Sequence, residues 1–402
     1  MNVLHILDHF SPINTGYTFR SKYIIQIQKK LGIDPFIMVS PKSNFGFKEY
    51  EVIDGIECVR CSIKKGSWFS KVPFLKEIEV MRILERKITE EVKKRKIDLL
   101  HAHSPLLCGW PAYRVGKKLK VPVVYEVRAL WEDAAVDQNK TKKKSLRYFL
   151  SRWFETQLFK RVDAICTICT GLKIDIEKRG IDGSKIHIIP NGVDVERFIP
   201  HDKDMKLLKE LNLENKFLIG FIGSFFKFEG LTKLIKALPF LIEHSNNVRL
   251  LLVGKGEDEE NLKSLVAQMR LNDKVVFTGQ VPHNQILSYY SIIDILVYPR
   301  ESSKLTEGVT PLKPLEAMAM KKAIIGSDVG GIKELVTDQE TGLLFKNDSV
   351  DDLVKKVCEL IDDSKKSIRL GQTARQFVLG EKNWETIINR DIELYKVLLK
   401  KR

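Results

Sequence analysis

Between residues 310 and 319 the chain reads Thr310-Pro311-Leu312-Lys313-Pro314-Leu315-Glu316-Ala317-Met318-Ala319, which sets an ammonium and a carboxylate three residues apart. An apolar run, Ile292 to Tyr298, precedes the stretch and another, Ala323 to Gly326, follows it. A short helix from Leu315 to Met320 is therefore expected between two buried strands. Pro314 falls in its first turn, where a missing N–H costs nothing. Unpaired N–H groups at a helix start carry partial positive charge and welcome an anion. Pro311 and Pro314 cannot donate, which leaves Leu312, Lys313, Leu315 and Glu316 as N–H donors, with Thr310 at the entrance. A phosphate suits this set. Glu316 could grip two neighbouring ribose hydroxyls, or it could merely offset the helix dipole. Its neighbours favour a site: Arg300, Lys304 and Glu307 lie in the loop before it, and Asp328-Val329-Gly330-Gly331 follows the next strand.

Gly223-Ser224 and Gly254-Lys255-Gly256 each follow a strand-like run and precede a helical one, so backbone there can approach a nucleotide closely. The third glycine of a dinucleotide fingerprint is absent, which counts against a dehydrogenase. Lys227, Arg300, Lys304 and Lys313 are the cations that could meet a diphosphate. In the first half, Gly16, His103 and Arg128 fall at the carboxyl ends of expected strands, where α/β proteins place their functional groups. Arg128 cannot act as a base but can hold a phosphate bidentately. His103 could touch a reacting sugar or satisfy loop backbone. His101 and His103 alone would make a poor metal site. Two Cys-x-x-Cys pairs, Cys58/Cys61 and Cys166/Cys169, lie in strand-like text, where residues three apart point to opposite faces. Buried free thiols are expected rather than zinc, so no metal and no cofactor is assigned.

These residues need a scaffold, and the pattern supplies one. Strands at Val3–Leu7, 35–40, 97–103 and 121–127 alternate with helices near 19–31 and 76–95, which means a parallel sheet wrapped by helices. A turn signal at Asn191-Gly192-Val193-Asp194 and a polar stretch near 198–204 then separate this half from a second alternation. That one runs through strands at 217–222, 249–253, 274–278 and 292–298 and helices at 231–242, 257–269 and 285–291. Ser349-Val350-Asp351-Asp352 reads as a capping box for a helix over 353–361. The domains are expected at 1–198 and 199–384, with a final helix, 385–402, returning to the first. At 402 residues, 44% apolar and 30% charged, the chain has the composition of a globular protein of two ordinary domains.

The formal charge of +15 is lopsided: residues 1–198 hold 36 Lys/Arg against 23 Asp/Glu, and the remainder 31 against 29. Nucleic acid, an anionic membrane or a phosphorylated substrate would each be served by the basic half. No RNA-binding aromatic signature or helix-turn-helix pattern supports nucleic acid. A basic amphipathic helix spans roughly 140–161, carrying Phe149, Leu150, Trp153, Phe154, Leu158 and Phe159 among Arg147, Arg152, Lys160 and Arg161. Most of its apolar residues are expected to pack on the sheet, with the basic flank toward lipid headgroups. No apolar stretch is long enough to span a bilayer and the N-terminus reads as a strand, so a cytoplasmic location is expected, with peripheral attachment to the membrane's inner face.

Taken together, Leu315-Glu316-Ala317-Met318-Ala319, the run 323–327, Gly330-Gly331-Ile332-Lys333-Glu334-Leu335 and Thr341-Gly342-Leu343-Leu344 closely resemble the C-terminal signature of the retaining family 4 glycosyltransferases. The resemblance implies the GT-B fold: two Rossmann-like, doubly wound α/β domains facing across a cleft, the second holding a nucleotide-sugar donor. Glu316 matches the second Glu of the family's Glu-x7-Glu pair, which binds the donor ribose. Gly308 stands where the first belongs, with Glu307 one place away, giving Glu307 a sugar-hydroxyl role. Family members usually carry an Arg after the first loop's Gly and a Lys before its later Gly; here those places hold Ser224 and Glu229. Arg128 stands where many carry a catalytic-site His. The stretches 223–231, 300–313 and 126–136 resemble an exopolysaccharide subgroup linked to exosortase sorting. The implied activity is metal-independent, retaining transfer from a UDP-sugar to a glycan or polyprenyl-linked acceptor in cell-surface polysaccharide synthesis. A nucleotide-sugar epimerase of the same fold and a non-catalytic nucleotide-sugar-binding protein are the rivals.

Overall fold

The computed structural model describes residues 1–13, 15–43, 47–63, 73–130, 132–133, 145–282 and 284–401. The chain divides into two compact units, residues 1–191 with 384–402, and residues 192–383. Each is a sheet covered by helices on both faces, which explains why the strands read as unbroken apolar runs rather than as alternations.

In the first unit, the described strands are β1 (Asn2–Leu7), β2 (Asp34–Val39), β3 (Tyr50–Ile53), β4 (Ile56–Arg60), β5 (Leu99–His103), β6 (Val123–Val127), β7 (Ala164–Thr167) and β8 (Ile186–Ile188). They lie in the order β3-β4-β2-β1-β5-β6-β7-β8, all parallel except the β3–β4 hairpin. The second unit holds β9 (Phe217–Ile222), β10 (Val248–Val253), β11 (Val275–Phe277), β12 (Ile295–Tyr298), β13 (Ala323–Ser327) and β14 (Leu343–Phe345). Their order is β11-β10-β9-β12-β13-β14, all parallel. In each sheet the winding direction reverses once, between β1 and β5 and between β9 and β12. A crevice opens at the carboxyl ends of strands at such a reversal. Gly223 directly follows β9 and Arg300 comes two residues after β12, so the second reversal sits where chemistry was expected.

The boundary between units falls earlier than the composition suggested. Val193 and Phe198 are buried in the second unit's core, Phe198 edge-on to Tyr290 at 5.9 Å, and the Val193 N–H donates to Lys382 O at 2.8 Å. Packing, not polarity, sets the junction. The last helix, Trp384–Lys400, belongs to the first unit as expected. There Trp384 stacks on Tyr23 at 5.5 Å, and Asp391 and Tyr395 reach Gln28.

Three local expectations need correction. Gly16 is the first residue of the Gly16–Lys30 helix rather than part of a loop, because Thr15 caps it by accepting the Thr18 N–H. Ser349 caps the Val350–Asp362 helix by accepting the Asp352 N–H, but Asp352 receives the Lys346 N–H instead of closing the box. In the Leu146–Arg161 helix, Tyr148, Glu155, Leu158 and Phe159 are buried, whereas Leu146, Phe149, Leu150, Trp153 and Phe154 are exposed. Most of its apolar surface therefore does not pack on the sheet. The lysines expected at its flank, 142–144, lie outside the described residues.

Candidate functional site

The second unit gathers the phosphate-suited residues at the β9/β12 reversal. The helix after β12 starts at Lys313 rather than Leu315, and runs Lys313–Ala319 with Leu312 as its cap. Its earlier start consumes two of the four expected donors, since the Leu315 and Glu316 N–H groups both point to Leu312 O, at 3.0 and 3.3 Å. Tyr298 OH donates to Lys313 O at 3.1 Å, fixing the first turn to the end of β12. The Lys313 side chain lies down over the turn after β9. Its ammonium donates to Glu229 Oε1 at 2.7 Å and sits 4.6 Å from the Phe221 ring centre.

Two glycines make that geometry feasible. Gly223 has φ +146°, and a Cβ there would meet Lys313 Cε at 2.2 Å. Gly254 has φ +136°, and its Cβ would run into Gly223 O at 1.9 Å. Gly223 makes room for the Lys313 side chain and Gly254 for the Gly223 backbone. Ser224 and Lys227 are exposed on the same turn, Lys227 opening the 3-10 turn Lys227–Glu229.

Glu316 is oriented by a residue that sequence reasoning missed. Tyr290 is fully buried and donates its hydroxyl to Glu316 Oε2 at 2.7 Å. Burial pushes the Glu316 carboxyl above its ordinary value, opposed by Tyr290, Arg197 and Lys313. A buried tyrosine must place its hydroxyl somewhere, and that was the available signal. Glu316 Oε1 has no hydrogen bond to a described residue, so one oxygen is held and the other presented.

Two other expected contacts are committed to the protein. Arg300 is only 4% exposed; its Nη1 donates to Val309 O at 3.1 Å and its Nε lies 3.6 Å from Glu229 Oε2. It anchors the 300–309 loop, and its guanidinium faces inward rather than toward a donor. Glu307 accepts from Ser302 Oγ and from the Gly330 N–H, both at 2.7 Å, tying the Lys304–Gly308 helix to the start of Gly330–Lys333. With each oxygen engaged, Glu307 serves the loop rather than a sugar hydroxyl. Lys304 begins that short helix and is partly exposed, while Thr310 is buried and Pro311 and Leu312 partly exposed.

The first unit tells a different story. His103, at the end of β5, is 0% exposed, with Nε2 3.0 Å from His5 Nδ1 and Nδ1 2.6 Å from Arg128 Nη2. A guanidinium only donates, so His103 Nδ1 accepts and its Nε2–H must donate to His5. His5 in turn donates from Nε2 to Gln28 Oε1 at 2.8 Å, and Gln28 donates to Asp391 and Tyr395. Burial, reinforced by His101, holds His103 well below the usual histidine range, and it holds His5 down to about 3. His103 is thus a neutral, saturated link and does not face a sugar. His5, His101 and His103 are the one group of described residues close enough together to share a metal ion. The ring nitrogens of His5 and His103 are already paired in this chain of hydrogen bonds, and His101 Nδ1 meets the Tyr395 hydroxyl. Only His101 Nε2, 3.4 Å from Glu126 Oε2, is without a hydrogen bond among the described residues, and the Arg128 cation lies against the group.

Arg128 was expected to hold a phosphate bidentately. Instead its Nε donates to Glu126 Oε1 at 2.6 Å, its Nη1 to Tyr17 O and Ser21 Oγ, and its plane lies 4.2 Å from the Tyr17 ring. The fork is spent internally. Glu126 also receives Arg20 Nε at 3.1 Å; against its burial, Arg20, Arg128 and His103 hold its carboxyl well below the carboxylate range. The cysteine pairs are free and buried, and burial pushes Cys58 and Cys61 up to about 12.

Solved structures built from this pair of sheets are glycosyltransferases of the GT-B type. Sucrose-phosphate synthase from Thermosynechococcus elongatus superposes with a TM-score of 0.81 at 20% identity, covering 100% of both chains. Anabaena HepE in complex with UDP gives 0.77 at 16% identity, covering 99% of this chain and 100% of that one. Sequence models of two families match in tandem: Glycosyltransferase Family 4 over residues 28–197 and Glycosyl transferases group 1 over residues 203–377. Between them the two matches span most of the chain, so each half carries a glycosyltransferase domain. Among curated relatives, an uncharacterised glycosyltransferase of Methanocaldococcus jannaschii is 27% identical over 64% of each chain. The alpha-maltose-1-phosphate synthase of Mycolicibacterium smegmatis is 27% identical over 62% of this chain and 67% of its own. The chain thus spans about two thirds of the length of these relatives.

Proposed function

We propose that the protein transfers a sugar from a nucleotide donor, a UDP-sugar in our reading, with retention at the anomeric carbon. The acceptor is a glycan or polyprenyl-linked sugar of cell-surface polysaccharide synthesis. One observation carries the reading: Lys313 and Glu316 rise from the same helical turn at the β9/β12 reversal, the acid oriented by Tyr290 and the ammonium laid over Gly223. The ammonium would neutralise charge on the departing diphosphate, and the free oxygen of Glu316 would hold the ribose. The Leu312 and Lys313 N–H groups would add dipoles directed at the same phosphates. With Arg300 and Glu307 serving the protein, the chemistry rests on few groups. The leaving phosphate itself would take the acceptor's proton, which requires neither a protein base nor a metal. The test is product analysis with a panel of nucleotide sugars, with and without lipid-linked acceptor. Transfer only with acceptor supports the reading; a converted nucleotide sugar without acceptor makes the protein an epimerase instead.

The protein also docks on an anionic membrane surface, in this reading, through the Leu146–Arg161 helix. Phe149, Leu150, Trp153 and Phe154 are exposed beside Arg147 and Arg152, and the surrounding half carries the chain's excess positive charge. No described helix is long and apolar enough to cross a membrane. Co-sedimentation with phosphatidylglycerol vesicles, but not with phosphatidylcholine ones, is expected, and Trp153→Ser with Phe149→Ser should abolish it. Equal recovery with both vesicle types would remove this part of the proposal.

A further inference from the structure

Glu229 is an acid in the middle of a site that should attract acids. It is 4% exposed, in a turn held on both sides: its own N–H donates to Phe226 O at 2.9 Å, and the Glu301 N–H donates to Phe228 O at 2.9 Å. Lys233 pairs with Glu301 at 2.9 Å, closing the same seam. The turn that carries the carboxylate is therefore fixed by backbone. The carboxylate takes the Lys313 ammonium at 2.7 Å and has Arg300 Nε at 3.6 Å on its other oxygen. Two cations around one anion leave a net charge of +1.

Depth within the protein separates the three groups. The side chains of Glu229 and Arg300 are each 5% exposed and that of Lys313 is 22% exposed. An anion arriving from solvent meets the ammonium first, with the carboxylate behind it. Lys313 Nζ makes one hydrogen bond to the described residues, and an ammonium has three donors. Burial disfavours charge on Glu229, but Lys313 and Arg300 outweigh it and keep its carboxyl below the ordinary value.

We propose that Glu229 is a positioning residue for the diphosphate of the donor: it pins the Lys313 ammonium over the Gly223 turn, with Arg300 fixing the carboxylate from behind. The inference rests on the donor site proposed above. A lysine side chain free in solvent samples many rotamers, and a phosphate would have to immobilise it. Pinned by Glu229, the ammonium is already in place, and binding gains what preorganisation saves. Arg300, too deep to touch a ligand, acts at second hand through the same carboxylate.

The test is calorimetric titration of the full chain with UDP and with uridine, which lacks the phosphates. Glu229→Gln keeps the side chain's shape and removes its charge. It should reduce the preference for UDP over uridine by about tenfold or more and leave uridine binding unchanged. Glu229→Asp, which withdraws the charge by one methylene, should fall between the two and serves if the Gln variant does not fold. In a Lys313→Ala background, Glu229→Gln should add little, because the group it positions is gone. If Glu229→Gln binds UDP as well as the unaltered protein or more tightly, the carboxylate competes with the ligand and the inference is wrong. Equal losses for UDP and uridine would mean a general structural role and would also overturn it. If the unaltered protein binds none of UDP, GDP or ADP, the donor site itself has been misassigned.

Discussion

Both units carry charged groups at the carboxyl ends of their strands, and they use them in opposite ways. In the first, Glu126, Arg20, Arg128, His103, His5 and Gln28 form a buried circuit in which nearly every donor finds an acceptor. The one Glu126 oxygen without a hydrogen bond, Oε2, is sealed from solvent 3.4 Å from His101 Nε2. In the second, Glu316 keeps one oxygen unengaged and Lys313 keeps donors to spare, both at partly exposed positions. A saturated polar cluster specifies a structure, while one with capacity left over can accept a ligand. Residue type does not separate the two cases, since an Arg and a His at a strand end look equally functional in sequence.

Four measurements would break or sharpen that contrast. Removing the hub of the closed circuit should have the largest effect. Glu126→Ala leaves two buried guanidinium groups without their counter-ion, and a loss of about 3–5 kcal/mol is expected in chemical denaturation. Next comes acid. His5 and His103 are held far below the value near 6.5 that they regain on unfolding, so the unfolded chain takes up protons that the folded one refuses. Stability should therefore be full above about pH 6.5 and fall as pH drops below it, the His5 contribution until about pH 3, with the folding equilibrium weakened about tenfold per pH unit for each histidine that the folded chain keeps neutral. Urea melts at pH 7 and 5 that coincide would show that the circuit is not held as described.

The open site should respond in function rather than in stability. Lys313→Ala and Glu316→Ala are each expected to cut turnover by well over about tenfold with a melting temperature near that of the unaltered protein. Unaltered kinetics in both would move the site elsewhere. Tyr290→Phe, which removes one hydroxyl, should cost about 0.5–1.5 kcal/mol in donor affinity through a less oriented Glu316. A change in turnover at saturating donor, with affinity unaltered, would assign Tyr290 some other role.

How much of this was legible before any coordinates? The alternation of strands and helices was, because buried parallel strands spell continuous apolar runs, as at Leu250-Leu251-Leu252-Val253. The short helix that carries Lys313 and Glu316 was also legible, to within two residues at its start, since proline, an acid and a base between two such runs limit the local geometry. Long-range partners were not. Nothing near Arg300 in sequence announces Glu229, 71 residues earlier, and nothing near Arg128 announces Tyr17. The exposed face of the Leu146–Arg161 helix was misjudged for a related reason: its apolar residues are spread around the helix, so the pattern alone could not say which side is covered. Tyr290 was missed because an aromatic in an apolar helix reads as core, which it is, while its hydroxyl does something else.

The helix Trp384–Lys400 completes a structure whose other parts precede it by nearly two hundred residues, and this imposes an order on synthesis. When residue 191 leaves the ribosome, Gln28 and His101 still lack Asp391 and Tyr395. The nascent first unit must then wait, its polar centre wet and its helix seat vacant, while the whole of the second unit is translated. The later-made unit can close on itself first, because its residues form one continuous segment. The unit that starts first can therefore be completed only last, after the whole of the other has been translated.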